Sequence, residues 1–201
     1  KPLISTFCPA IVRLIQVKFP GLTENLIPLR APIDITAMYI RRKIKEEMDL
    51  KDDQIGIFYI TPCAAKIAAV KNPVGEEKSL VDGVINMDSL YNRVYHEFKT
   101  QRLGYKEQKL PVSQLSADGV LTSLTNGERR LSDAKHSYSI DEIHNVIELL
   151  EKVENEEIDD VDFWELRACD QSCPGGILTC DIRFLICERV FSRARKIADT
   201  S

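Results

Sequence analysis

Three short apolar runs in this chain each stop at a cysteine, and that placement constrains the fold more than any other feature. Pro2–Thr6 leads to Cys8–Pro9, Gln54–Ile60 (QIGIFYI) to Thr61–Pro62–Cys63, and Asp162–Ala168 (DFWELRA) to Cys169. The run at Gln54–Ile60, rich in β-branched and aromatic residues, reads as a buried strand, and the other two also read as strands. Helical patterns separate the runs. Ile11, Val12, Leu14, Ile15 and Phe19 keep a helical period until Pro20–Gly21 ends it, and Leu22–Pro32 is a proline-punctuated loop. Ile33–Met48 follows as a second helix, with Asp34 as its cap or first-turn acid. Ala64–Val70 is a short helix and Asn72–Gly75 a turn; Val81–Ile85 is a further strand and Asp88–Lys99 the helix after it. Ser139–Glu142 reads as a capping sequence for a helix to about Glu154, with Ile143, Val146, Ile147, Leu150 and Val153 on one face. Ile177–Ala198 has helical character and a basic end, while Thr100–Ser137 has no period beyond short strands expected at Lys109–Gln114 and Gly119–Leu121. Alternating strands and helices predict an α/β chain, its strands at least partly parallel. Open folds of that kind place their sites at the carboxyl ends of strands, where the cysteines stand.

Charge narrows the function. The net charge is −4 and the basic cluster Arg41, Arg42, Lys43 and Lys45 runs straight into Glu46 and Glu47, as on a solvated helix face, so nucleic acid is not an expected partner. No apolar run approaches the roughly 20 residues that span a bilayer, and no export signal is visible. Six cysteines in 201 residues are too few for a disulfide scaffold, which points to a reducing cytoplasm and to metal or redox chemistry. His96, His136 and His144 lie on separate segments without a His-Glu-x-x-His pattern, and neither a dinucleotide fingerprint nor a P-loop is present. The chain opens at Lys1 directly into an apolar stretch, as a fragment of a longer protein would.

Cysteine chemistry follows from the neighbours. In Cys8–Pro9 and Cys173–Pro174 the proline suits the first helical position, making each cysteine a helix cap whose sulfur faces first-turn N–H groups. Cys63 has the same opportunity, and Gly175–Gly176 lets the backbone come close to a bulky group. Cys169 and Cys173 are spaced to reach one metal centre. Zinc would also accept four cysteines, but structural zinc sites draw ligands as close pairs, and two of these ligands are isolated, which favours a cluster. Taken singly, each cysteine reads rather as a small buried hydrophobe, but all four together, with their proline and glycine neighbours, do not. Cys180 and Cys187, among Ile182, Leu185 and Ile186, read as core residues, with Cys180 a spare candidate.

Ser5–Thr6–Phe7–Cys8–Pro9–Ala10 resembles the first signature of the iron-only hydrogenase large subunit, Thr61–Pro62–Cys63–Ala64–Ala65–Lys66 its second, and Glu165–Leu166–Arg167–Ala168–Cys169–Asp170–Gln171–Ser172–Cys173 its third. Softer likenesses at Ala31–Met38 and Val81–Val84 fill the gaps, so that the resemblance covers most of residues 1–201 as a single domain. It implies a two-lobed α/β fold with mostly parallel strands flanked by helices. It also implies a 4Fe–4S cubane held by Cys8, Cys63, Cys169 and Cys173. The cysteine matching Cys173 further bridges to a two-iron unit in that family, and the lysine matching Lys66 contacts a cyanide of that unit. From the residues alone, Lys66 is equally a solvated lysine at a helix start.

Departures from the family pattern concern turnover. Active members carry a proton-relay cysteine where this chain has Phe7, and a relay glutamate where it has Ala69. A shielding methionine is replaced by Thr61, and the stretch after the last ligand by Pro174–Ile177. Without positioned acid–base groups, proton turnover at a buried site collapses. The likeness is to a divergent branch in anaerobic bacteria, whose members join this domain to ferredoxin-like and PAS modules. It implies an iron–sulfur domain for electron transfer or for redox or hydrogen sensing. The alternatives are an active hydrogenase with an altered relay and an interaction domain with an empty site.

Overall fold

A computed structural model describes residues 1–73, 78–100 and 115–198. The described strands fall into two sheets, every pairing parallel. The first sheet has β1 (Leu3–Ile4), β5 (Phe163–Leu166) and β4 (Ser137–Ile140) in that order, with Leu3 opposite Phe163 and Ser137 opposite the same residue from the other side. The second pairs β2 (Phe58–Thr61) with β3 (Gly83–Asn86). Parallel neighbours require crossovers, and helices supply them. Helices α1 (Pro9–Lys18) and α2 (Pro32–Met48) follow β1, α3 (Ala64–Lys71) joins β2 to β3, and α4 (Met87–Thr100) leaves β3. Helix α5 (Ala117–Leu121) precedes β4, α6 (Ile143–Glu154) joins β4 to β5, and α7 (Arg183–Ala198) closes the chain. No described helix is long and apolar enough to cross a membrane.

The main core belongs to the first sheet. Ile11, Ile15 and Phe19 from α1 meet Val146, Leu149 and Leu150 from α6 over Ile4, Trp164 and Leu166. The apolar stripes expected on α1 and α6 are the faces buried here. The central strand β5 is buried at all four positions, as a strand with neighbours on both sides must be.

Several expectations are corrected. Gln54–Ile60 does not form a buried strand throughout: Asp52–Gln54 is a 3-10 turn, and on β2 Phe58 is 63% and Ile60 48% exposed. Phe58 and Ile60, two residues apart, share the face of β2 that is left open. Ser139 and Ile140 lie in β4 rather than in a helix, because their backbone groups are taken by the ladder to β5, and the helix starts at Ile143 after Glu142 at φ 72°. Gly119–Leu121 is helical, with the Ser116 hydroxyl accepting from the Gly119 N–H at 2.9 Å. Lys109–Gln114 falls outside the described residues. The final helix begins only at Arg183, which leaves Cys180 exposed in the preceding loop instead of packed in a core; Ile182 and Leu185 are exposed as well.

Leu150 is fully buried where α1 and α6 meet. Leu150→Ala should destabilise the chain by about 2–5 kcal/mol through lost burial and a residual cavity. Chemical denaturation measures this, and a change below about 1 kcal/mol would contradict the placement of this core.

Candidate functional site

The same local device turns the chain off β1 and off β2. Ser5 and Thr61 are buried hydroxyls at the strand ends, and each accepts a hydrogen bond from the backbone N–H two residues on, Phe7 in one case and Cys63 in the other, both at 3.1 Å. The bend delivers Cys8 to the N-cap of α1, with Pro9 next, and Cys63 to the N-cap of α3. Both cysteines are extended there, with φ near −96° and −97°, and neither side chain is used to cap its own helix. The first-turn N–H groups of both helices are thus not taken up by these side chains, and a helix N-terminus is a setting that favours negative charge.

Cys169 and Cys173 come from a tighter loop beyond β5. Cys173 is not itself a helix cap: it opens the 3-10 turn Cys173–Gly175, and Ser172 is the residue before that turn. Gln171 and Ser172 both have positive φ, 60° and 58°, a conformation that costs non-glycine residues of order 1–3 kcal/mol each. Ser172 is held by its N–H to the Cys169 carbonyl at 3.0 Å and by a hydroxyl contact with Thr125 at 3.0 Å, and Thr125 donates to Asp141 at 2.6 Å. The winding is close enough that a Cβ on Gly175 would lie 1.7 Å from the Asp170 carbonyl oxygen. At Gly176 a Cβ would lie 3.7 Å from the carbonyl oxygen of Pro62, so the third cysteine loop packs against the second.

Phe7 joins all three segments. The Lys66 ammonium lies 4.1 Å from the centre of its ring, and the Arg167 guanidinium carbon lies 3.7 Å from it. Phe7 adjoins Cys8, Lys66 is one helical turn past Cys63, and Arg167 is two residues before Cys169. Electrostatics points to the same convergence. The Cys169 thiol is pushed up to about 11, first by burial and then by the charges of Cys8, Cys63 and Cys173. Cys173 is also raised by burial, an effect opposed by Lys66 and Arg167. Cys169 thus feels the charges of all three other cysteines, and Cys173 those of Cys8 and Cys63. Among the described residues, no group of three or more His, Cys, Asp or Glu side chains is gathered closely enough for a single metal ion.

Lys66 is half-buried on Phe7 rather than solvated. Arg167 was not singled out by the sequence, although its signal was available: an arginine at the end of an apolar strand. It is 1% exposed. Its Nη2 donates to Glu128 at 2.8 Å and to the Thr122 carbonyl at 3.2 Å, and Nε and Nη2 reach Glu165 at 3.4 and 3.3 Å. Ser5 donates to Glu128 at 2.8 Å, and burial raises the Glu128 carboxyl despite the nearby Arg167. Nη1 of Arg167 is buried with no hydrogen-bond partner among the described residues.

Comparison with known proteins agrees with this architecture. The family model described as "Iron only hydrogenase large subunit, C-terminal domain" matches residues 1–130. Among solved structures, an FeFe-hydrogenase, HydA(deltaEFG), used to follow stepwise H-cluster assembly is 15% identical with a TM-score of 0.65, covering 96% of this chain and 65% of its own. An FeFe-hydrogenase studied for oxygen inactivation through its 2Fe subcluster is 13% identical with a TM-score of 0.66, covering 96% of this chain and 64% of its own. Apo HydA1 from Chlamydomonas reinhardtii is 15% identical with a TM-score of 0.65, covering 96% and 65%. At such identities the likeness is one of fold, and the chain spans about 65% of the length of these structures. No curated protein matches the chain. With its family signature extending over residues 1–130 of 201, and with parallel sheets flanked by helices as in those structures, the chain belongs to the family of C-terminal domains of iron-only hydrogenase large subunits.

Proposed function

We propose that Cys8, Cys63, Cys169 and Cys173 hold one 4Fe–4S cluster, and that the domain uses it for electron transfer or for redox or hydrogen sensing. The observation that carries this reading is the Phe7 ring, gripped by cations from the segments of Cys63 and Cys169 while its own neighbour is Cys8. Three distant stretches of chain meet at that ring, which supports a common site for their cysteines. Coupling of four thiols without the close approach a single ion needs suits a unit of several metals better than zinc.

The residues fit such a group. Two sulfurs stand at helix N-termini, where N–H dipoles stabilise thiolate and inorganic sulfide. The third and fourth share a strained loop with a buried guanidinium N–H in reserve beside it. When bound, the cluster supplies one-electron chemistry. The protein's part is to release the thiol protons, to hold the sulfurs apart at fixed positions and to restrict water. Phe7 and Ala69 offer no exchangeable proton, which favours an electron-handling role over hydrogen turnover. A ferredoxin-like domain or protein is the proposed electron partner, and a PAS-type signalling module the proposed output.

Anaerobic reconstitution should give close to four irons and four sulfides per chain, and fewer than about three irons would exclude a cubane. Cys63→Ala should abolish the visible absorption of the loaded protein, and an unchanged spectrum would contradict the ligand assignment. Hydrogen evolution from a reduced dye by protein supplied with a two-iron unit would instead establish the catalytic alternative. The raised Cys169 thiol adds a pH test on the cluster-free protein. Its alkylation by iodoacetamide, followed by mass spectrometry, should still climb about tenfold per unit between pH 8 and 10, where an ordinary thiol of pKa about 8.5 levels off. A plateau at Cys169 by pH 9.5 would contradict the buried, charge-coupled site.

A further inference from the structure

Arg167 is a buried charged side chain that is not among the proposed ligands. Arg167 is 1% exposed and its guanidinium carbon lies over Phe7, 3.7 Å from the ring centre, with Lys66 on the same ring at 4.1 Å. Its Nε and Nη2 are occupied by Glu165, Glu128 and the Thr122 carbonyl. Nη1 alone is left buried without an acceptor among the described residues. A buried N–H of a charged group left unsatisfied is costly, and one that persists calls for an explanation, such as an acceptor outside the protein's own polar groups.

We propose that Arg167 Nη1 is the hydrogen-bond donor to a sulfur at the Cys173 corner of the cluster, and that Arg167 and Lys66, clamped by Phe7, raise the cluster's reduction potential. The inference rests on the cluster reading of the preceding section. Sequence position puts the guanidinium two residues before Cys169, and the Cys173 sulfur feels both cations. Reduction adds one electron to the cluster from a low-potential one-electron donor, and no atom is transferred. Positive charge and N–H donors near the sulfurs stabilise the electron-rich state, and so the reduced form. Glu128 and Glu165 fix the guanidinium in place, and Phe7 fixes both cations relative to the cysteines. Arg167 and Lys66 are therefore positioning and tuning residues rather than ligands.

The test uses the whole chain, reconstituted anaerobically and poised with a viologen mediator, with the reduced fraction read by electron paramagnetic resonance. Arg167→Lys keeps a charge but loses the free donor, Lys66→Gln removes a half-exposed charge without disturbing the buried network, and Lys71→Gln is a charge control on the exposed end of α3. At a fixed potential the reduced-to-oxidised ratio should fall at least roughly threefold in each of the first two. The fall should reach about tenfold in the double variant, equivalent to ~59 mV for one electron. Lys71→Gln should match the wild type. Should Arg167→Lys fail to fold or load, Lys66→Gln still decides. A loaded wild type whose ratio ignores Lys66→Gln, or an equal fall in Lys71→Gln, would overturn this proposal alone. A wild type that takes up no iron would overturn the cluster reading beneath it.

Discussion

The meeting of the three cysteine-bearing segments at the Phe7 ring is the constraint on which the rest of this structure turns. Burial and then the charges of the other three cysteines push the Cys169 thiol up to about 11, and burial raises Cys173 as well. A chain that gathers such groups must hold them by forces other than their own contacts. Here the work falls to backbone features of several kinds. Parallel strands end side by side, buried hydroxyls at Ser5 and Thr61 bend the chain into helix N-termini, and a loop with two positive-φ residues winds Cys173 back towards Cys169. Backbone strain of this kind persists only when the surrounding structure over-determines it, and it gathers at functional sites. In a site with no function, relaxed alternatives for Gln171 and Ser172 would be expected to win.

The strand ends were legible because their signals are local. A β-branched run, a cysteine and an adjacent proline lie within a few residues of one another, and the helical period of α1 and α6 follows from residues a turn apart. What escaped was nonlocal. The β4 segment carries serines and a following acid that imitate a helix cap, and only pairing with β5, more than 20 residues away, makes it a strand. Gly119–Leu121 was unreadable for the related reason that a five-residue helix has too few positions to show a period. The exposure of Phe58 and Ile60 depends on how many strands join the second sheet, which no local window contains.

The polar centre was the least legible part. Phe7 reads in sequence as the loss of a titratable side chain, and Lys66 as a lysine at a helix start. Only their meeting with Arg167 turns the loss into a feature. One aromatic ring then carries two cations from two other segments, an arrangement worth about 0.5–2 kcal/mol per cation depending on how dry it is. The ring thus links the first cysteine segment to the other two by a contact that a thiol in its place could not make.

A buried Arg–Glu network is a poor way to stabilise a fold. Removing Arg167, Glu165 and Glu128 from water is expensive, and apolar residues of similar volume are often neutral or stabilising by about 1–4 kcal/mol in such places. Glu128 illustrates the penalty, its carboxyl raised by burial even beside an arginine. Glu165 occupies the middle of the central strand, where the neighbours Trp164 and Leu166 show that an apolar core was available on the other face. The network therefore has to be explained by what it positions rather than by what it stabilises. Two carboxylates fix one guanidinium, the guanidinium faces the ring beside Cys8, and its last N–H is kept clear of every described acceptor. That sequence of contacts directs a permanent positive charge at the cysteines, and a centre that gains and loses electrons is the kind of group for which such a charge has consequences.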